Sequence, residues 1–135
     1  MAAPALPEPW ARSWPAVAAS VAQIRAAVVA FAMAAGAGEA AIEAVRLAVS
    51  EAATNAVLHA YVEQPTPGDV HVAADHRPGT VCVDVRDDGR GMVARSDSPG
   101  SGFGLMLIGQ YADDHEVRAL PEGGTSLRMR FSLAG

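Results

Sequence analysis

The sequence predicts an α+β fold: a two-layer sandwich whose mixed, mostly antiparallel sheet is covered on one face by helices. Three observations lead there. Two long apolar segments repeat at helical spacing in the first half of the chain. Four segments in the second half alternate with a period of two. Glycine- and proline-rich stretches separate them, so each change of period coincides with a turn signal.

The elements follow in order. Residues 1–14 hold Pro4, Pro7 and Pro9 with Trp10 and Trp14, and read as an extended arm or an edge strand. Residues 15–135 form the single domain that a chain of 135 residues accommodates. Val17, Val21, Ile24, Val28 and Phe31 recur at helical spacing, predicting a helix over 15–35 with Pro15 in its first turn and Ser13 as cap. Gly36 and Gly38 stop it. A second helix is expected from Glu39 to Tyr61, with Ile42, Val45, Val49, Ala52 and Ala56 as its apolar stripe. Val70, Val72 and Ala74, then Val81, Val83 and Val85, alternate with polar residues on either side of Pro78-Gly79, which is the pattern of a hairpin. A glycine-rich stretch from Asp87 to Gly104 leads to a short helix over 103–112. Strands over 115–120 and 125–133 close the chain; in the second, Leu127, Met129 and Phe131 face away from Arg128 and Arg130.

Composition removes several classes of function. All ten basic residues are arginine, so a lysine-dependent P-loop and Schiff-base chemistry are excluded. A net charge of −5 without a basic run argues against direct nucleic-acid binding. The one cysteine, Cys82, lies in an apolar strand with no histidine arranged to serve it, and reads as core. The N-terminus shows no secretory pattern. Gln23 and Arg25 interrupt the apolar stretch 17–35, so no membrane span is expected and the location is read as cytoplasmic.

Three motifs carry chemistry. In Ser50-Glu51-Ala52-Ala53-Thr54-Asn55, Glu51 and Asn55 stand one helical turn apart, with His59 a further turn on. An amide oxygen is a hard ligand suited to Mg²⁺, and a carboxylate can accept a proton from an attacking hydroxyl. An ordinary polar helix flank has the same spacing. In Asp87-Asp88-Gly89-Arg90-Gly91, an aspartate ends a strand and glycines let the backbone turn close to a flat ligand. Such a carboxylate can accept a hydrogen bond from an exocyclic amine, although Asp and Gly are also common in plain turns. In Gly100-Ser101-Gly102-Phe103-Gly104-Leu105, glycines precede a helix and expose backbone N–H groups suited to phosphate.

Taken in this order, and with Gly123-Gly124-Thr125 before the last strand, the three motifs resemble the GHKL superfamily with its Bergerat ATP-binding fold. The wording SEAATNAVLHAY is similar to that of the anti-sigma factor serine/threonine kinases, and the resemblance runs over roughly residues 17–133. It implies ATP and Mg²⁺ as ligands. It implies Glu51 as the general base, Asn55 as the metal ligand, and Asp87 as the acceptor for adenine with Thr125 in support. Gly89 and Gly91 would shape the adenine pocket, and Gly102, Gly104, Leu105 and neighbouring amides would hold phosphate. For His59 and Tyr61 it gives presence without a role.

The implied function is phosphorylation of a serine or threonine on an anti-anti-sigma, STAS-like partner, with possible sequestration of a sigma factor and a possible homodimer. Two other readings stand beside it: a non-catalytic ATP-binding module that sequesters a partner, and a stand-alone histidine-kinase-like ATPase. The phosphate-side lysine of many superfamily members is missing, leaving Arg90 and Arg95 in the short lid region as the available cations. Arg25, on the first helix, is either a partner-facing charge or an ordinary solvated arginine.

Overall fold

The computed structural model describes residues 5–61, 66, 68–89 and 107–134. Their elements run β1 (Trp10–Pro15), α1 (Ala18–Ala34), α2 (Glu39–Asn55), a π-helical turn (Ala56–Ala60), β2 (Asp69–Arg77), β3 (Thr80–Asp87), β4 (Asp114–Ala119) and β5 (Thr125–Ser132). Residues 107–111, between β3 and β4, are also helical.

The five strands form one sheet in the order β1-β2-β3-β5-β4. Every pairing among these strands is antiparallel, so the parallel component expected of a mixed sheet is not found among the described residues. Period-two alternation fixes which face is which. Val70, Val72 and Ala74 of β2, Val81, Val83 and Val85 of β3, and Leu127, Met129 and Phe131 of β5 are all buried against the helices. The intervening side chains remain on the open face. There Arg128 meets Asp84 at 3.5 Å and Arg130 meets Asp114 at 2.5 Å, ion pairs between neighbouring strands.

Helix α1 buries Ile24, Val28, Val29, Phe31 and Ala32, together with Ser20. The expected start at Pro15 with a Ser13 cap does not occur. Pro15 ends β1, paired with Asp69, and the helix begins after Val17 with no side-chain cap. Proline lacks an N–H but tolerates an edge strand, and that is the place it takes here. Val17, counted in the apolar stripe, is correspondingly exposed. At the other end Gly36 adopts φ +95°, the left-handed geometry that stops a helix, and Gly38 becomes the cap residue of α2.

Helix α2 packs a face of small residues on the sheet. Ala48, Ala52, Ala53 and Ala56 are wholly buried, and Val45 and Val49 complete the face. The helix expected to run unbroken to Tyr61 widens at Ala56 into the π turn, a local insertion that is often found at functional sites. Phe131 is 1% exposed at the centre of the core. Phe131→Ala is expected to lower unfolding free energy by about 3–5 kcal/mol, against less than about 0.5 kcal/mol for the exposed neighbour Ser132→Ala. Paired denaturant titrations measure the difference.

Candidate functional site

The site lies where the end of α2, the end of β3 and the start of β5 meet. Asp87 is the last residue of β3, and its register partner on β5 is Thr125. Both are buried, at 0% and 1% exposure. A buried carboxylate needs hydrogen-bond partners, and Asp87 has only half of them among the described residues: Oδ1 accepts the Gly89 N–H at 3.0 Å, whereas Oδ2 is enclosed without a partner. Burial is the main cause that pushes its pKa up to about 6; the Gly89 amide works against the rise, the neighbouring Asp88 charge adds to it, and His71 lowers it.

Glycine is required around this carboxylate. A Cβ on Gly89 would stand 2.0 Å from the Ala60 carbonyl oxygen. One on Gly124, itself at φ +98°, would stand 2.1 Å from the Asp87 carbonyl oxygen. The strand end is thus gripped between the π turn on one side and the β4–β5 connection on the other.

Asn55 closes α2 at the start of the π turn and is 6% exposed. Its amide nitrogen is a second enclosed polar atom without a partner among the described residues. Glu51, one turn earlier, is half-buried. The structure therefore holds Glu51 and Asn55 on one helix, with Asp87, Gly89 and Thr125 clustered at the strand ends. Gly91, Gly102, Gly104 and Leu105 lie outside the described residues, as do Arg90 and Arg95.

Several residues at the site had no assigned role in the sequence. Tyr61 is buried, and its hydroxyl donates to the Asp69 carbonyl at 2.7 Å and accepts the Asp88 N–H at 2.9 Å. Burial raises its pKa. The Asp88 carboxylate meets His71 Nε2 at 2.7 Å, and His71 Nδ1 meets Ser13 Oγ at 2.7 Å. Ser13, expected to cap a helix, instead ties the edge strand to the loop after β3. Arg25 is half-buried rather than simply solvated, and its guanidinium donates to Ser50 Oγ at 3.3 Å, bridging α1 to α2 beside Glu51. A separate concavity of about 520 Å³ lies on the open sheet face; its lining includes His71, Arg86, Glu116 and Arg128 but neither Asn55 nor Asp87.

Two unsatisfied polar atoms, and a turn that admits only glycine, fit a nucleotide better than a sealed core. Asp87 Oδ2 can accept an exocyclic amine, and the Asn55 amide can serve phosphate through its N–H group and a hard cation through its oxygen.

Comparison with known proteins identifies the family. Residues 14–131 match the family model for the histidine kinase-like ATPase domain, and the chain belongs to that family. Within it, the chain is similar to proteins named anti-sigma F factor. That of Heyndrickxia coagulans is 39% identical over 98 residues, covering 64% of this chain and 66% of that protein. That of Bacillus subtilis is 28% identical over 101 residues, covering 67% and 68%. The chain thus spans about two thirds of the length of these relatives. Among solved structures, the RsbU and RsbW domains of Rv1364c from Mycobacterium tuberculosis superpose with TM-score 0.73 at 23% identity. That match covers 95% of this chain and 33% of the other, and shows the same fold.

The raised pKa of Asp87 has a definite sign. Its ionisation opposes folding, so the penalty is complete above about pH 6 and fades as pH falls toward about 4. Asp87→Asn keeps an oxygen for the Gly89 amide and removes the charge. It is expected to stabilise the nucleotide-free protein at pH 7.5 by on the order of 1 kcal/mol, after allowing for solvent at the mouth of the site, and by much less at pH 4. Thermal melts of both proteins at the two pH values check this.

Proposed function

We propose that this chain is an ATP-dependent serine/threonine protein kinase of the anti-sigma factor type, acting on an anti-anti-sigma, STAS-like protein. The observation that carries the reading is the pair of enclosed atoms, Asp87 Oδ2 and Asn55 Nδ2, that have no partner among the described residues, in a member of the histidine kinase-like ATPase family. The names of its relatives, anti-sigma F factors, support a sigma factor as a second binding partner; a homodimer is the assembly we propose with it.

In this reading Asp87 orients the adenine by accepting its amine, supported by Thr125 across the ladder. The turn at Gly89 lets the base lie against the backbone. A Mg²⁺ held by the Asn55 side-chain oxygen would neutralise phosphate charge. Glu51, one turn before Asn55 and half-buried, accepts the proton of the partner's hydroxyl as that oxygen attacks the γ-phosphorus in line and the bond from that phosphorus to the β–γ bridging oxygen breaks, releasing ADP. Gly102, Gly104, Leu105 and their amides hold the phosphates, and Gly91 completes the adenine pocket. The rest of catalysis is positioning and charge stabilisation.

Glu51→Gln keeps the shape and removes the base. It is expected to leave the Kd for ATP within about threefold of the wild type and to lower phosphoryl transfer about 10²–10⁴-fold. Transfer of labelled γ-phosphate to a purified anti-anti-sigma-like protein measures this. The product should survive acid, as phosphoserine and phosphothreonine do. An acid-labile product would point instead to histidine phosphorylation, and full activity in Glu51→Gln would remove the base assignment. ATP binding without any transfer would leave a sequestering module.

A further inference from the structure

We propose that Tyr61 is the positioning residue that sets the site's selectivity for an amino-purine base. This rests on the reading of Asp87 as the adenine acceptor and extends it to a residue with no part in recognition so far.

The argument starts from one peptide group. The free oxygen of Asp87 points where it does because its other oxygen is taken by Gly89 and because the Asp87–Asp88 peptide is held. The N–H of that peptide is the one Tyr61 accepts, at 2.9 Å. Its carbonyl belongs to Asp87 and is packed so tightly against Gly124 that no Cβ fits between them. The peptide plane is therefore clamped on both sides, by the Tyr61 hydroxyl and by the Gly124 backbone.

The hydroxyl is itself fixed. It spends its proton on the Asp69 carbonyl at 2.7 Å, so a lone pair is left to face Asp88. Asp69 lies just before Val70, whose register partner is Asp87, and the phenol thus bridges the two strands where their ladder ends. The ring has its own cleared path. A Cβ on Gly68 would lie 2.5 Å from Tyr61 Cε1, and one on Gly89 would lie 2.9 Å from its Cδ1. Asp88 is restrained from its far side as well, through the His71–Ser13 chain. These contacts fix the backbone around one direction, that of Asp87 Oδ2, and none of them involves Asn55 on the proposed phosphate side. Losing the hydroxyl should consequently cost the base contact and spare the phosphates.

The test compares ATP with inosine triphosphate, which carries a carbonyl oxygen where adenine carries its amine. Binding is measured for wild type, Tyr61→Phe, Asp87→Asn and the double variant. Tyr61→Phe is expected to weaken ATP about five- to tenfold, the range of one neutral hydrogen bond, and to leave inosine triphosphate unchanged. Combined with Asp87→Asn it should add no further loss, because both changes remove the same contact. Equal weakening of both nucleotides would mark a merely structural role and overturn the proposal, as would unchanged ATP binding in Tyr61→Phe. Wild type that binds neither nucleotide would sink the nucleotide reading itself. ATP binding that ignores Asp87→Asn would sink the acceptor role of Asp87, and this proposal with either. A response to Asp87→Asn without one to Tyr61→Phe would sink Tyr61 alone. Hydrogen exchange at the Asp88 amide of the wild type gives a second measurement that needs no variant: strong protection is expected, and exchange at the rate of a free amide would overturn the clamp.

Discussion

Everything at the site depends on how closely α2 lies on the sheet. Ala48, Ala52, Ala56 and Ala60 follow one another at four-residue intervals, and with Ala53 they are completely buried. Along this row only methyl groups extend from the helix into the core, with Val45 and Val49 as the larger members of the face. Interiors are packed to near-crystalline density, so a longer side chain on this face would lift the helix away from the strands. The Ala60 carbonyl could then no longer rest on Gly89, and Asn55 would leave the level of the strand ends. An alanine-rich composition, unremarkable in itself, thus sets the width of the gap that the candidate ligand must fill.

The close approach explains why Asp87 is kept where an apolar residue would be more comfortable. Its position continues the inward alternation of Val81, Val83 and Val85, so the β3 pattern directs its side chain into the core rather than to solvent. A valine there would fold as well. What the carboxylate supplies is a hydrogen-bond acceptor in a dry pocket, where competing water is few and each polar contact counts for more. Unfilled, the same acceptor weakens the fold, and the site therefore carries a built-in preference for its occupied form.

Strands β2 to β5 were legible in the sequence to within a residue or two, because valine alternation across β2 and β3 admits one inward face and Pro78-Gly79 fixes the turn; β1 was not separated from the arm that holds it. The start of α2 at Glu39 was legible too, but the start of α1 was not. Ser13 and Pro15 carry the local signature of a helix start, yet pairing with β2 claimed both, and tertiary contacts overrode the local signal. The π turn was invisible for a related reason: the apolar period of 3.6 runs on smoothly through Ala56 and Ala60, and the widening shows only in the backbone. Of the candidate site, residue types and their order were readable from Glu51, Asn55 and Asp87. The parts set by backbone approach were not. Tyr61 and Gly124 lie inside motifs that gave them no individual role, and that role appears only when the carbonyls of Asp69 and Asp87 are placed in space.

The pairing of Asp87 with Thr125 also has a bearing on how this architecture can diversify. Residues 88–124 run from β3 to β5, carrying the helical residues 107–111 and β4 on the way, and the β3–β5 ladder holds their two ends side by side. The entropy of closing a flexible connection grows only with the logarithm of its length, so doubling it would cost about 0.6 kcal/mol. Within this frame a change of length between Gly89 and the helical residues 107–111 costs little closure entropy as long as the ladder is kept. The scaffold can then remain nearly constant while that stretch of sequence changes, which separates the part of the chain that answers to packing from a part that is free of that constraint.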